Sequence, residues 1–125
     1  MFETLELTRM AQSLARHAGA RLGVIAQNVA NADTPGYRTQ DIEDFASSFH
    51  DQRGLRITRP GHLSVARDTD SMTSRSGGAE APNGNDVSLE LEMVKAATAR
   101  QEHDMALLVY RTTSGVIRAS LGRSG

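Results

Sequence analysis

The sequence predicts a mainly α fold in which long N- and C-terminal helices pack as a coiled-coil-like pair, with an irregular middle that contains a short β-hairpin at most. Apolar and small residues recur at steps of three or four along both ends of the 125-residue chain, the period of one helix face. The middle lacks this period. Aromatic residues make up only 4% of the chain, so we expect a thin core between two helices. Residues 1–31, 32–86 and 87–125 together form one domain.

The N-terminal helix is predicted over residues of about 5 to 31. Gly19 and Gly23 lie inside it, and each costs about 1 kcal/mol relative to alanine. Such a helix is marginal alone and requires a packing partner. The face that we expect to meet this partner consists of Leu7, Leu14, Leu22, Ile25 and Val29, with Ala11 and Ala18 between them.

A dense turn motif, NVANADTPGY, lies at the end of this helix. Asn31 tolerates the left-handed conformation that often ends helices, and Pro35-Gly36 suits the central positions of a type II turn. Asn28 can bond peptide groups that the turn leaves unpaired, and Tyr37 leaves the turn in a fixed direction. An ordinary helix stop would use the same residues, and both interpretations stay open at this point. The motif residues are Asn28, Asn31, Thr34, Pro35, Gly36 and Tyr37.

The middle of the chain contains two stretches of different composition. Residues 54–65 include short β-like runs around Pro60-Gly61, which allow a strand or a hairpin. Residues 68–85 are rich in Ser, Gly, Asp and Asn with almost nothing apolar, so we expect a flexible loop there.

The C-terminal helix is predicted over residues 87–125, with Asp86 or Ser88 as its N-cap. Its apolar positions alternate at steps of four and three, the pattern of a coiled-coil seam. The centre of this seam, residues 98–103, is polar, which favours a specific partner over strong packing. We expect both helices to bury their seams against each other or against neighbouring chains. The seam residues of this helix are Val87, Leu91, Val94, Met105 and Leu108.

Motif searches yield no candidate catalytic, cofactor-binding or metal-ligating residue, and we expect neither an enzyme nor a cofactor. The four histidines are scattered, whereas a metal site needs three or four converging ligands. The carboxylates near residues 41–44 and 102–104 lie in polar stretches, where solvated side chains are the usual outcome. Gly77-Gly78 lacks the preceding strand and the following lysine of a phosphate loop.

Charge and hydropathy exclude further classes. The formal net charge is −1 and basic residues are scattered, so no nucleic-acid-binding surface is expected. The longest apolar run, residues 106–110, is far shorter than the roughly 20 residues that span a bilayer, so the chain is not expected to span a membrane. Glu3 and Glu6 stand where a secretory signal has basic residues, so no cleaved signal peptide is expected. Cysteine is absent, which excludes disulfides and thiolate sites.

Three stretches of the chain resemble one family, in the same order. NVANADTPGYRTQDI, residues 28–42, is similar to the N-terminal signature of the bacterial flagellar axial proteins of the rod and hook. TRPGHLSV, residues 58–65, and NDVSLELEMVK, residues 85–95, are similar to segments of the proximal rod proteins. The chain therefore resembles the flagella basal body rod protein family. Ala99 and His103 stand where that family usually has Asn and Tyr, so its packing at these two positions is not carried over.

The resemblance implies a structural subunit of the proximal rod of the flagellar basal body. Such subunits form a hollow helical rod in the periplasm, which transmits torque and continues the export channel, and they leave the cell by type III export without a cleaved signal. The implied partners are copies of the chain, sibling rod proteins, a FliE-like adaptor, the MS ring and the export gate. The Asn28–Tyr37 turn would lock the outer end of the N-terminal helix against neighbouring subunits. The alternatives are a cytoplasmic coiled-coil adaptor or export chaperone, and a small hydrolase.

Overall fold

A computed structural model describes residues 2–54, 73–75 and 79–122. The fold is mainly helical, as the sequence predicts: two long terminal helices pack against each other, and short elements lie between them. None of the described helices combines the length and the apolar character needed to cross a membrane. In chain order the elements are α1 (Phe2–Ala30), β1 (Gln40–Ile42), α2 (Phe45–Gly54), β2 (Thr73–Arg75) and α3 (Leu89–Gly122).

The helices α1 and α3 lie antiparallel. The end of α1 meets the start of α3, where Asn28 Nδ2 donates a hydrogen bond to Glu92 Oε2 at 3.0 Å. The start of α1 meets the end of α3, where Thr8 Oγ1 donates to Thr113 Oγ1 at 3.1 Å. At about 1.5 Å per residue, these two bonds lie about 30 Å apart along the pair.

Small side chains line the contact between the two helices. Apart from Asn28, the buried residues recur every seven positions in both α1 and α3. Ala18 and Ala99 each have an exposed fraction of 0%. Because alanine ends at Cβ, the two backbones can approach closely, and large side chains are left outside the contact. This alanine seam consists of Ala11, Ala18 and Ile25 of α1 and of Ala99, Ala106 and Thr113 of α3, and buried Glu92 continues the same repeat at the start of α3.

The predicted face takes part in this contact in α1, where Ala11, Ala18 and Ile25 are buried, but not in α3. In α3 the buried stripe runs one position after the predicted one, so Leu91 is exposed where Glu92 is buried. One position rotates the face by about 100°. Within the chain, the α3 side of the seam is therefore not the predicted one, and burial of the exposed predicted residues against other chains stays a prediction. Ile25 is buried, Leu14, Leu22 and Val87 are half-buried, and Leu7, Val29, Leu91, Val94, Met105 and Leu108 are exposed.

The middle of the chain also differs from the prediction. β1 and β2 pair antiparallel, with Asp41 opposite Ser74. β2 lies inside residues 68–85, the predicted flexible loop, and residues 79–85 of that loop bond the turn after α1. Polar side chains that bond to backbone groups order this segment without apolar burial. The β-like runs predicted in residues 54–65 fall almost wholly outside the described residues.

The short helix α2 has no counterpart in the sequence prediction. His17 Nε2 of α1 donates to Glu43 O at 2.7 Å just before α2 begins. The His17 ring also meets the Phe45 ring edge-on, with 5.6 Å between ring centroids. Phe45 in turn stacks on Phe49 at 5.4 Å. The His17 contacts thus fix the start of a helix whose own apolar period is weak, and the Phe45–Phe49 stack lies within that helix.

Candidate structural site at the end of the helix pair

The residues after α1 end the helix in a different way from the one predicted. In the described part of the chain, positive φ occurs at glycine alone, so Asn31 is not left-handed. Its Nδ2 instead donates to Gln27 O at 2.8 Å and satisfies a carbonyl of the last helical turn. Asn31 Oδ1 accepts a hydrogen bond from Thr34 Oγ1 at 3.1 Å. The side chain of Asn31 thereby ties the helix end to the turn.

The Pro35-Gly36 turn forms as predicted. Tyr37 N donates to Thr34 O at 3.2 Å, the bond that closes a β-turn. Gly36 has a φ of +74°, close to the value that the third position of a type II turn requires. The prediction of a type II turn with a required glycine is confirmed.

Asn28 is the centre of the site. Its exposed fraction is 0%, and its side chain lies between the turn, β1 and α3. The amide nitrogen donates to Gln40 O at 2.7 Å and to Glu92 Oε2 at 3.0 Å. The amide oxygen accepts bonds from Tyr37 Oη at 3.0 Å and from Gln40 N at 3.1 Å. Asn28 thus uses its full hydrogen-bonding capacity, and the prediction that it bonds peptide groups after the turn is confirmed for Gln40.

Tyr37 points back into its own chain. From the sequence we expect the turn that ends in Tyr37 to contact neighbouring subunits. In the structure, the Tyr37 hydroxyl donates to Asn28 Oδ1 of the same subunit. Burial raises the pKa of Tyr37, and the nearby carboxylates of Glu92 and Asp86 raise it further, so the hydroxyl keeps its proton. A contact between the exposed part of the ring and another chain stays a prediction.

Two residues just before α3 close the site from the opposite side. Asn85 Nδ2 donates to Asn31 O and to Thr34 O, both at 2.8 Å. Asp86 Oδ1 accepts bonds from Thr39 N at 2.6 Å and from Thr39 Oγ1 at 2.8 Å. The bond from the Thr39 N–H is the main reason that the pKa of Asp86 lies below its ordinary value, although burial opposes this shift.

Of the two predicted N-caps of α3, Ser88 occupies the position. Ser88 Oγ accepts a long bond of 3.5 Å from Leu91 N, and Ser88 O accepts from Glu92 N at 2.9 Å. Asp86 is engaged by Thr39 instead. The interlocked residues that join the turn to the start of α3 form what we call the polar hub: Asn28, Tyr37, Thr39, Asn85, Asp86 and Glu92.

A row of alternating charges continues from the hub along the helix pair. Lys95 Nζ donates to Glu92 Oε1 at 3.1 Å and lies 3.9 Å from Asp41 Oδ2. Asp41 binds Arg21 through both carboxylate oxygens, at 3.1 and 3.2 Å. Burial alone would raise the pKa of Asp41, but the bonds from Arg21 and from the Ile42 N–H hold it below its ordinary value. Each charge faces an opposite one, so the Glu92 carboxylate is buried without being isolated.

The polar groups of the hub are committed to one another. Every buried side-chain nitrogen or oxygen atom in the hub has a hydrogen-bond partner. Within residues 2–54, 73–75 and 79–122, no three His, Asp or Glu side chains are placed to hold a metal ion. The hub joins backbone segments that are distant in sequence, which is a structural role.

The two glycines with positive φ beside the hub, Gly36 and Gly84, lead to a prediction on stability. Gly84 has a φ of +82°, and a Cβ there would lie 3.3 Å from Gly36 Cα. In Gly84→Ala, this close contact adds to the strain of the left-handed conformation, which is about 1–2 kcal/mol. Gly84→Ala should therefore destabilise the fold more than Gly36→Ala, where a Cβ meets nothing within 4 Å. Gly115→Ala inside α3 should stabilise by up to about 1 kcal/mol, because alanine favours a helix. Urea denaturation followed by circular dichroism gives the three changes, and equal changes for Gly84→Ala and Gly115→Ala would contradict the strain.

Known proteins match the same residues. A family model described as flagella basal body rod protein matches residues 10–38, which include most of α1 and the turn. The flagellar basal body rod protein FlgB of Agrobacterium fabrum is 26% identical over 111 residues, covering 82% of this chain and 83% of that protein. FlgB of Salmonella typhimurium is 29% identical over 114 residues, covering 81% and 82%. FlgB of Escherichia coli is 31% identical over 112 residues, covering 79% and 80%. The chain belongs to the flagellar basal body rod protein family.

The sequence predicts two of the six hub residues of this rod-family protein as members of a site. Asn28 and Tyr37 were predicted as motif residues, whereas Thr39, Asp86 and Glu92 had no predicted role in a site. The available signal was the NDVSLELEMVK stretch, which resembles the family and places Glu92 in the same seven-residue repeat as the alanines of α3. A charged residue in a repeat of small ones indicates a buried polar partner.

Proposed function

We propose that this chain is a structural subunit of the proximal rod of the bacterial flagellar basal body. The observation that carries the proposal is that α3 has bulky apolar residues on a face that does not contact α1. The alanine seam already joins α3 to α1 within the chain. The bulky apolar residues of α3 lie on a different face, which has no partner within the described residues of one subunit.

This second face of α3, which we call the outer face, is suited to burial against neighbouring subunits. Val94 and Leu108 have exposed fractions of 64% and 65%. Single exposed apolar residues are ordinary on a protein surface, but the four of the outer face form two pairs, each three residues apart, that share one face of a seven-residue repeat. A chain that functions as one of many packed copies requires such a face on every copy. The outer face consists of Leu91, Val94, Met105 and Leu108.

The start of α1 extends the apolar surface at the far end of the pair. Phe2 is 87% exposed, and the next turns add further exposed apolar side chains. Helices that present apolar residues outside their own pair can pack as further layers around it. The exposed residues of this segment are Phe2, Leu5, Leu7 and Met10.

The finer features of the proposal follow the family. The subunits would stack as coiled-coil layers of a hollow rod that continues the export channel and transmits torque, after export without a cleaved signal peptide. Neighbours would be copies of the chain and sibling rod proteins, with a FliE-like adaptor, the MS ring and the export gate at the base. The FlgB relatives, matched over most of both lengths, support this arrangement. They lend no support to an adaptor or chaperone.

Deletion of the gene in its own bacterium tests the proposal. We expect deleted cells to lose the rod and motility, and the unaltered gene to restore both. Basal bodies isolated from the restored cells should contain the chain when they are analysed by mass spectrometry. Complete basal bodies in the deleted cells, or basal bodies free of the chain in the restored cells, would contradict the proposal.

A further inference from the structure

We infer that the polar hub sets the register of α1 against α3, which the alanine seam alone leaves open. Apart from Asn28, the buried residues of both helices recur every seven positions. A slide of α3 by one such repeat covers about 10 Å and returns a small residue to nearly every seam position. Contacts between small apolar residues therefore distinguish poorly between the observed register and its neighbours. The inference concerns packing within one chain and does not rest on the rod.

A slide of α3 by seven residues in one direction removes the Glu92 carboxylate from the hub. This slide brings Ser120 opposite Thr8, in place of Thr113, and the Ser120 hydroxyl can replace the Thr113 hydroxyl. At the other end Ala99 takes the place of Glu92 beside Asn28. The seam stays small throughout, but the Asn28 amide loses its carboxylate acceptor. A buried amide donor without an acceptor is costly, so the hub disfavours this register.

The opposite slide buries the hub carboxylate. It brings Ala106 opposite Thr8 and moves Glu92 to the seam position of Ala99, whose exposed fraction is 0%. Lys95 travels with Glu92 on the same helix, but the Asn28 amide does not. A carboxylate that enters an alanine contact without its amide donor loses part of the compensation for its desolvation. The hub thus disfavours this register as well.

The residues that precede α3 act in the same direction. The Asn85 side chain donates hydrogen bonds to the carbonyls of Asn31 and Thr34, and the Asp86 carboxylate accepts one from Thr39 N. These bonds determine where along α1 the chain can start α3. A buried polar contact that specifies one helix register is the best-attested use of such groups.

Introduced cysteine pairs can read the register directly, because the chain has no cysteine of its own. Thr8→Cys with Thr113→Cys reports the observed register, since the two hydroxyl oxygens lie 3.1 Å apart. Thr8→Cys with Ser120→Cys and Thr8→Cys with Ala106→Cys report the two slides. With an intact hub, oxidation or a short bismaleimide should link only the first pair in the monomer band.

Each pair is then combined with a hub-free variant, in which four hub residues become alanine. The yield for Thr8→Cys with Thr113→Cys should fall about threefold as three registers share the population, and the other two pairs should become linked. Glu92→Gln, which keeps an oxygen acceptor for Asn28, should preserve the original pattern. A matched control replaces four exposed polar residues and should also preserve it. The hub-free substitutions are Asn28→Ala, Asn85→Ala, Asp86→Ala and Glu92→Ala, and the control substitutions are Glu3→Ala, Gln12→Ala, Glu90→Ala and Gln101→Ala.

Three results would overturn the inference. Exclusive linkage of Thr8→Cys with Thr113→Cys in the hub-free variant would show that the seam itself sets the register. Loss of all three linkages would show that the hub holds the helices together instead of selecting their register. Linkage of either slid pair in the control variant would show that the register is loose for other reasons.

Discussion

Asn28→Ala should lower the free energy of unfolding of the isolated chain by on the order of 3 kcal/mol or more. The side chain is fully buried and bonded on both sides of its amide. Its removal leaves the Glu92 carboxylate, the Tyr37 hydroxyl and the Gln40 peptide groups short of a partner. Each buried polar group that loses its partner costs about 1–3 kcal/mol, and a small cavity adds to this. Urea denaturation followed by the helical circular dichroism signal measures the change.

Gln27→Ala is the matched control for this variant. Gln27 is an amide residue one position earlier in α1 and is exposed. Exposed substitutions of this kind usually change stability by no more than about 0.5 kcal/mol. A similar small change for both variants would mean that the hub contributes little to folding, contrary to its geometry.

Leu108→Asp should leave the isolated chain almost as stable as before and abolish rod formation. Leu108 is 65% exposed in the single subunit, so a charge there meets water. In a rod that buries the outer face of α3, the same carboxylate would be desolvated without a partner, at a cost of several kcal/mol for each subunit. Leu91→Asp should behave in the same way, since it lies on the same face.

Ala46→Asp on α2 provides the control, because Ala46 is exposed and lies outside the outer face. Stability is measured on the purified chain, and rod completion is measured by electron microscopy of isolated basal bodies and by motility. Normal rods from both leucine variants would show that the outer face is not an interface. Unfolding of the purified leucine variants would instead place these residues in the subunit core.

The two long helices and the Pro35-Gly36 turn were predictable because they depend on local properties. A sustained apolar period predicts a helix whatever it packs against, and proline followed by glycine restricts the turn geometry directly. The end of α1 was less predictable. Asn31 has several ways to satisfy the last carbonyls, and the side-chain bond to Gln27 competes with the left-handed end.

The face that α3 shares with α1 was not predictable from the apolar period. Bulky residues such as Leu91 and Leu108 dominate such a pattern, whereas the intrachain contact uses Ala99 and Ala106. Ala99 is one of the two positions that depart from the family pattern, and its full burial makes its small size part of the close contact. Contact of the exposed bulky apolar residues with other chains stays a prediction.

The hub residues other than Asn28 and Tyr37 were not predictable, for a different reason. Asn28 and Glu92 are separated by 64 positions in the sequence, and Thr39 and Asp86 by 47. Hydrogen bonds between such distant residues leave no period, and each residue alone looks like an ordinary polar side chain. Only the fold brings them together, through the antiparallel pairing of the helices.

The reactivity of one thiol on the outer face tests most directly whether this face lies inside the rod. Leu108→Cys introduces a single thiol, because the chain contains no other cysteine. We predict rapid maleimide labelling of the purified chain and much slower labelling of intact basal bodies that contain it, with full labelling restored when those basal bodies are dissolved in denaturant. Equal labelling rates for the purified chain and for intact basal bodies would contradict burial of this face between rod subunits.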